Sequence, residues 1–348
     1  MYMKLSNLGE FGLIDSIKKK AFRKSSSVLV GIGDDAAVLK VSSTALLLAT
    51  TDLLLEGVHF DLSYTDFYSL GWKSAAVNLS DIAAMGGIPR FCLTSLGIPP
   101  HIKAEKILDF YRGFNALLRA HKTVLTGGDT SASSGGMIIS VTVLGEVEKT
   151  RVISRAGAKP GDRIFVTGTL GDSAAGLELL QSRVRGQGSG VRGKDFYSAI
   201  RIPHSTLVKK HLRPIPRIEW GRKIALSGCA SALIDISDGL SSDLHHICGQ
   251  SGVGAVISAG NIPLSPFLLK SARVLKKQPL QYGLSGGEDY ELLFTVPSAR
   301  INKLNALGIA ATEIGEITRT RQVWIVDDHG RKRRLQRSGY DHFKRSAG

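Results

Sequence analysis

The sequence predicts an α/β (α+β) protein of two domains. Its 348 residues are enough for two separate cores. The first half alternates short apolar runs of strand length with longer stretches of helical spacing. A turn-rich connector, Arg155-Ala-Gly-Ala-Lys-Pro-Gly-Asp162, then precedes a fresh strand, so the predicted domains are 1–150 and 151–348.

Taken in order, Val28–Val30 and Ala36–Val41 read as short strands flanking an Asp34-Asp35 turn. Ala45–Ala49 is a compact apolar run suited to a buried strand that ends in Thr50-Thr51-Asp52. Phe67–Met85 has helical spacing through Leu70, Val77 and Ile82 and stops at Gly86-Gly87, which places Asp81 in the last turn. Phe91–Ile98 reads as a strand and Ala104–His121 as an amphipathic helix. Val124-Leu125 leads into Gly127-Gly128-Asp129, and Met137–Val147 is a long strand. In the second half Ile164–Thr167, Ala232–Ile236 and Tyr290–Val296 are the predicted strands, with a helix after Asp238-Gly239 running through His246. Gly186–Gly193 is a Gly/Arg/Ser insertion that reads as a mobile loop. Both halves set acidic residues just after short strands, without a strict internal repeat.

A 43% hydrophobic and 22% charged composition is that of a soluble globular chain. No apolar run reaches the roughly 18 residues of a membrane span, and Met1–Glu10 lacks the pattern of a secretory signal. The expected compartment is cytoplasmic. Cys92, Cys229 and Cys248 have no metal-ligand spacing and read as small buried thiols in a reducing setting. Much of the formal charge of +15 sits in Arg183–Lys194 and Arg331–Arg345. No RNA-binding aromatic signature or helix-turn-helix pattern accompanies it, so it reads as a solvated basic surface that attracts anions.

Against that basic background stand six acidic clusters: Asp34-Asp35, Thr50-Thr51-Asp52, Asn78-Leu-Ser-Asp81, Gly127-Gly-Asp129, Asp235-Ile-Ser-Asp238 and Gly286-Gly-Glu-Asp289. Each has an ordinary structural reading. Asp34 and Asp35 can be turn formers, Asp238 a helix N-cap, and Thr50-Thr51-Asp52 a set of groups satisfying backbone at a strand end. Asp81 is hardest to explain this way, because a carboxylate in the last turn opposes the helix dipole unless a cation compensates it. Together the clusters favour a phosphate site holding several metal ions, since carboxylates are the hard oxygen donors that Mg²⁺ takes alongside phosphate and water. Other phosphate-loop patterns fail. Gly188–Lys194 opens like a P-loop but has Asp195 in place of the metal-binding Ser or Thr, and Gly31-Ile-Gly33 lacks the third glycine of a dinucleotide fingerprint. His59 reads either as a half-buried histidine or as a substrate contact near Asp52. His245 and His246 are adjacent on one helix, face different sides, and read as structural.

These motifs resemble the thiamine-monophosphate kinase family, of the aminoimidazole ribotide synthetase-like superfamily. The likeness runs through Gly31-Ile-Gly-Asp-Asp-Ala-Ala37, Thr51-Asp52 with Glu56-Gly-Val-His-Phe60, Val77-Asn-Leu-Ser-Asp-Ile-Ala-Ala-Met-Gly86 and Gly127-Gly-Asp-Thr130. It continues through Gly157–Asp162, Val166–Gly168, Gly171–Gly176, Asp235–Leu240, Ser285–Leu292 and Gly339-Tyr-Asp-His-Phe343, in the expected order over nearly the whole chain.

The resemblance implies ATP-dependent phosphorylation of thiamine monophosphate to thiamine diphosphate, in a two-domain fold whose N-terminal sheets join in a homodimer. It implies several Mg²⁺ ions on Asp35, Thr50, Thr51, Asp52, Asp81, Asp129 and Asp235, with a further ion at Asp238. Tyr111, Gly128, Asp129, Arg155 and Ser237 are its expected ATP contacts, and His59, Glu288 and Tyr340 its expected contacts to thiamine monophosphate. The attacking phosphate is already ionised near neutral pH, so no residue is assigned as general base. Another ATP-using enzyme of the superfamily is the nearest alternative, opposed by the His59 motif and the Gly-Tyr-Asp-His-Phe terminus. A selenophosphate synthetase would also normally carry a reactive Cys near its N-terminus, and none precedes Cys92. A basic nucleic-acid-binding protein would leave the acidic clusters without a purpose, and no membrane association is expected.

Overall fold

Two sheets, joined by one buried helix, organise the chain. The computed structural model describes residues 28–30, 34–40, 42, 44–188, 203–340 and 342–343. Met1–Glu10, Gly31-Ile32-Gly33, residues 189–202 of the Gly/Arg region, Asp341 and the residues after Phe343 lie outside them. Among the described residues no helix is long and apolar enough to cross a membrane.

The first sheet contains β1 (Val28–Val30), β2 (Ala37–Lys40), β3 (Ala45–Leu55), β4 (Ile88–Ile98), β5 (Val124–Ala132) and β6 (Ile138–Glu148), in the order β1-β2-β3-β6-β4-β5. Its neighbours are antiparallel except β4 and β5. On one face lie α1 (Phe67–Ala84) and α2 (Ala104–Ala120). Leu70, Leu79 and Ile82 of α1 and Phe110, Phe114 and Leu117 of α2 pack with Leu46, Leu48, Ile139, Val141 and Val143 of the sheet. The two helices cross at contact distance through glycine. A Cβ on Gly71 would fall 1.9 Å from the Phe110 carbonyl oxygen, and one on Gly113 would fall 1.8 Å from that of Tyr68.

β3 is longer than the sequence suggested. It runs past Thr50-Thr51-Asp52 to Leu55, because Leu53–Leu55 continue the apolar pattern and pair with Ile138–Ser140. Likewise Gly127-Gly128-Asp129 is not a turn after a strand. It lies within β5, paired to Leu93-Thr94-Ser95. The strand period of two then separates neighbours. Leu46, Leu48, Thr50 and Leu54 are buried toward the helices, while Thr51 and Leu53 face the other side. That other face carries exposed Leu53, Phe91, Leu93, Val124 and Ile138.

The second sheet comprises β7 (Arg163–Thr167), β8 (Ala232–Asp235), β9 (Gly254–Ser258), β10 (Leu292–Val296), β11 (Ala311–Thr318), β12 (Val323–Val326) and β13 (Lys332–Arg334). Their order is β13-β12-β9-β11-β7-β10-β8. Within this sheet only β9 and β12 pair in parallel among the described strands. Around it stand α3 (Asp172–Gly188), α4 (Pro203–Leu212), α5 (Ile218–Ser227), α6 (Leu240–Ser251), α7 (Pro266–Val274) and α8 (Pro279–Ser285). α3 extends through the first residues of the predicted Gly186–Gly193 loop. β10 starts at Leu292, after Tyr290, whose positive φ of 51° is incompatible with a strand.

α1 belongs to both halves. Most of its residues are buried, as expected of a helix enclosed by protein on all sides. Its far flank meets α5, where a Cβ on Gly221 would fall 2.2 Å from the Ala83 carbonyl oxygen. It also meets β8, where Ser80 Oγ donates to Asp235 Oδ2.

Candidate active site

The placement of α1 begins at its ends. Asp66 caps the N-terminus by accepting from Ser69 N at 2.8 Å. At the other end Gly86 takes φ +69°, and Gly86 N and Gly87 N donate to the Ala83 and Ile82 carbonyls, both at 2.9 Å. Asp81 is therefore held in the last turn, aimed between the two sheets.

There Asp81 meets carboxylates from three other segments. One oxygen each of Asp35, Asp81 and Asp235 lies within 4.8 Å of the others. Thr50 Oγ1 donates to Asp81 Oδ2. Burial, then the charge of Asp35, pushes Asp52 up to about 6. Burial raises Asp81 well above its ordinary range, reinforced by Asp52 and Asp235, and raises Asp235 likewise, reinforced by Asp35. Asp34 is pushed up to about 7, by burial and then by Asp35. Among the described residues the cation at this cluster is Arg155, with Nε 3.1 Å from Asp35 Oδ2 and Nη2 2.6 Å from Asp35 Oδ1.

These residues fit divalent cations. The buried Asp52 Oδ2 has no hydrogen-bond partner, and a buried carboxylate oxygen left unmatched is costly unless a cation meets it. The donors are all hard oxygens, the set that Mg²⁺ selects. A second group, Asp238, Asp243 and His246, also brings its ligand atoms within 4.8 Å of one another. Gly239, not Asp238, occupies the N-cap position of α6, so capping does not account for Asp238.

The same cavity, about 1320 Å³, extends from Asp35, Thr50, Asp52 and Asp81 to His59, Glu288 and Tyr340, and is also lined by Arg155, Ser237 and Asp238. His59 Nδ1 accepts from Leu55 N at 3.0 Å, and its ring lies 4.8 Å from that of His342. The Tyr340 ring meets His342 edge-on at 4.7 Å. Burial, then His342 and Lys73, pushes His59 down to about 4, so its imidazole is neutral near pH 7. Glu288 has φ +64°, a strained conformation for a residue with a Cβ and one that clusters at functional sites. Its amide donates to the Ser237 carbonyl at 2.7 Å, tying this loop to the segment after β8.

Three of the expected residues, Tyr111, Gly128 and Asp129, lie outside the lining of this cavity, and Thr51 lines it without turning its hydroxyl to the carboxylates. Thr51 points to the outer face of the sheet, where its hydroxyl is 3.0 Å from that of Thr142. Gly128 and Asp129 are exposed on β5, outside the cavity lining. Tyr111 packs its ring edge-on against Phe110 and Phe114 on α2.

Two further residues entered the site without a sequence signal strong enough to single them out. Lys73, on α1, is 1% exposed and contacts Glu288. His211, on α4, lies 3.3 Å from Glu288 Oε2. A lysine within the apolar pattern of a buried helix is a readable anomaly, whereas nothing local marks His211. His246 joins Asp238 and Asp243, although its place beside His245 suggested a structural role.

The fold and this acidic site define a class of protein. Residues 33–147 match the family model for the AIR synthase related protein N-terminal domain, and residues 159–327 match that for the C-terminal domain. The chain is 40% identical to the thiamine-monophosphate kinase of Aquifex aeolicus over 98% of its own length and all of the relative's. It is 38% identical to that of Bacillus subtilis, over 97% of this chain and again the whole relative. A solved structure described as AaThiL complexed with AMPPCP and TMP matches 98% of this chain and 99% of its own, with a TM-score of 0.84 and 38% identity. The chain belongs to the thiamine-monophosphate kinase family.

Proposed function

We propose that this chain transfers the γ-phosphoryl group of ATP to the phosphate of thiamine monophosphate, giving thiamine diphosphate and ADP. The observation that carries the reading is a single cavity joining the carboxylates Asp35, Asp52 and Asp81 to His59, Glu288 and Tyr340. The activity named for the relatives, and the AMPPCP and TMP of the similar complex, support it.

A phosphate oxygen of thiamine monophosphate forms the new bond to the γ-phosphorus. The bond from that phosphorus to the β,γ-bridging oxygen breaks, and its electron pair leaves with ADP. The acceptor oxygen is already ionised, so the protein need not remove a proton. Mg²⁺ ions held by Asp35, Thr50, Asp52, Asp81 and Asp235 supply neutralisation of the phosphate charge when bound. Arg155 presents a guanidinium to the nucleotide phosphates, and Ser237 offers a hydroxyl beside it. Glu288 and the face of Tyr340 suit the cationic thiazolium ring, one by charge and the other by its π-system. His59, neutral, offers hydrogen bonding without adding charge.

ADP release, measured with and without thiamine monophosphate and with and without Mg²⁺, tests the reading. Turnover should need both, and equal turnover with free thiamine would overturn it.

A homodimer through the first sheet follows from the exposed Leu53, Phe91, Leu93, Val124 and Ile138, an apolar strip that a second copy would cover. Thr51, Gly128 and Asp129 share or border that face, so their proposed metal and nucleotide roles belong at the edge of such an interface. Sedimentation of a fully active monomer at micromolar concentration would remove the dimer. The buried free thiols Cys92, Cys229 and Cys248 suit a reducing, cytoplasmic setting, which cell fractionation tests.

A further inference from the structure

Lys73 presents a problem of burial. It is 1% exposed, on the helix that also carries Leu70, Leu79 and Ile82 into the core. Its ammonium lies 2.8 Å from Glu288 Oε1 and 2.9 Å from Glu288 Oε2, and it donates to the His59 carbonyl oxygen at 3.3 Å. A buried ion pair rarely stabilises a fold more than apolar groups of the same shape would, because desolvating the charges offsets their attraction. Stability therefore does not explain a lysine here.

Its contacts do suggest a reason. His59 follows β3 of the first sheet, and Glu288 precedes β10 of the second. Lys73 touches both, so one side chain spans the junction of the two halves at the substrate end of the cavity. Glu288 also needs such a restraint, since its φ of +64° is a conformation its own backbone disfavours. The remaining ion-pair partner of Glu288 among the described residues is His211, at 3.3 Å from Oε2. Burial and the charge of Lys73 push His211 down to about 3, so it is neutral and the lysine is the charged partner. Burial alone would raise the Glu288 carboxyl; the Lys73 ammonium outweighs it and holds the group below its ordinary range.

We propose that Lys73 is a positioning residue for thiamine monophosphate, clamping the Glu288 carboxylate and the His59 main chain at a fixed separation across the two halves. The proposal rests on the kinase reading above and adds to it the group that sets the geometry of the substrate end. Lys73 need not touch substrate itself. Its effect passes through Glu288, and this distinguishes it from a residue that merely supports the fold.

A double-mutant cycle tests this, using Lys73→Met, Lys73→Gln, Glu288→Gln and the Lys73→Met/Glu288→Gln pair. The wild-type chain is assayed first: failure to phosphorylate thiamine monophosphate overturns the kinase reading, and this inference with it. Given that activity, Lys73→Met should raise KM for thiamine monophosphate about tenfold or more, as expected when a binding group is displaced. KM for ATP should stay within about twofold; the thermal midpoint of Lys73→Met should fall, because Glu288 is left without its cation, and the Lys73→Met/Glu288→Gln pair, which neutralises both partners, should recover it. In the Glu288→Gln background the same change should add little. Lys73→Gln, which keeps a hydrogen-bond donor, should lie between wild type and Lys73→Met and serves if the methionine variant does not fold. Unchanged KM for thiamine monophosphate in a folded variant, an equal loss for both substrates, or additive effects in the pair would each overturn the proposal.

Discussion

Arg155 grips Asp35 through two nitrogens, at 3.1 and 2.6 Å, while its own backbone amide donates to Asp34 at 3.2 Å. A residue expected to face nucleotide thus neutralises a residue expected to face metal. A guanidinium fork on a carboxylate is among the stronger hydrogen-bonded ion pairs, and this one joins the start of the second half of the chain to the turn before β2. A cation at Asp35 would free Arg155 for phosphate, so the two proposed roles are linked through this pair.

Removing the guanidinium should therefore show in the free protein. Arg155→Met leaves Asp35 buried without its cation and is expected to destabilise the metal-free chain by about 3–5 kcal/mol. Mg²⁺ should restore part of that loss by supplying charge at the same carboxylate. Chemical denaturation with EDTA and with Mg²⁺ measures both, and a variant as stable as wild type without metal would contradict the pairing.

Asp81→Asn should separate function from stability. Asp81 sits among Asp35, Asp52 and Asp235, all buried or nearly so, and its removal relieves like-charge repulsion. Turnover should fall by about 100-fold or more, from lost stabilisation of transferring phosphate, while the thermal midpoint without metal stays level or rises. A variant that keeps near-wild-type turnover, or that loses activity only because it unfolds, would rule this role out.

The same carboxylates predict a pH dependence with a definite sign. Asp52 is raised from 3.8 to about 6 and Asp34 from 3.8 to about 7, so the folded chain binds these protons more tightly than the unfolded one. Their contribution to stability is present below pH 4 and is lost as pH rises through 6 and 7. Thermal unfolding in EDTA should show Asp52→Asn with a shallower decline than wild type between pH 5 and 8, and Mg²⁺ should stabilise wild type more at pH 8 than at pH 5. Equal pH slopes in wild type and variant would defeat the assignment.

Tyr340 stands edge-on to His342, whose ring lies against His59. An aromatic face toward a cation contributes about 0.5–2 kcal/mol, so Tyr340→Ala should weaken thiamine monophosphate binding roughly 2- to 30-fold. ATP affinity should hold, because the carboxylates and Arg155 lie at the other end of the cavity. Calorimetric titration of each ligand distinguishes this from a packing role, in which both affinities would fall together.

Much of this was legible in the chain. Helix α1 carries its own stop at Gly86, so the position of Asp81 in its last turn follows from local sequence. The connector at 155–162 and the renewed strand after it marked the passage between the sheets. The extent of β3 was legible less fully: Leu53–Leu55 carry the strand onward, but the polar triplet Thr50-Thr51-Asp52 hides the continuity. Its pairing with β6 over the whole length, a non-local fact, decides the matter.

The sequence by itself determined which residue types could hold phosphate and metal, because their chemistry and order along the chain are intrinsic to them. Only the tertiary structure decided which of them share a site. Strand alternation sends Thr50 and Asp52 to one face and Thr51 to the other. Packing of α1 between two sheets brings Asp81 to Asp235 across 154 positions and Lys73 to Glu288 across 215. Such distant pairings are set by the burial of whole helix and sheet faces, which no short motif encodes. His211, and the partner of Lys73, therefore became visible only when those faces had closed on one another.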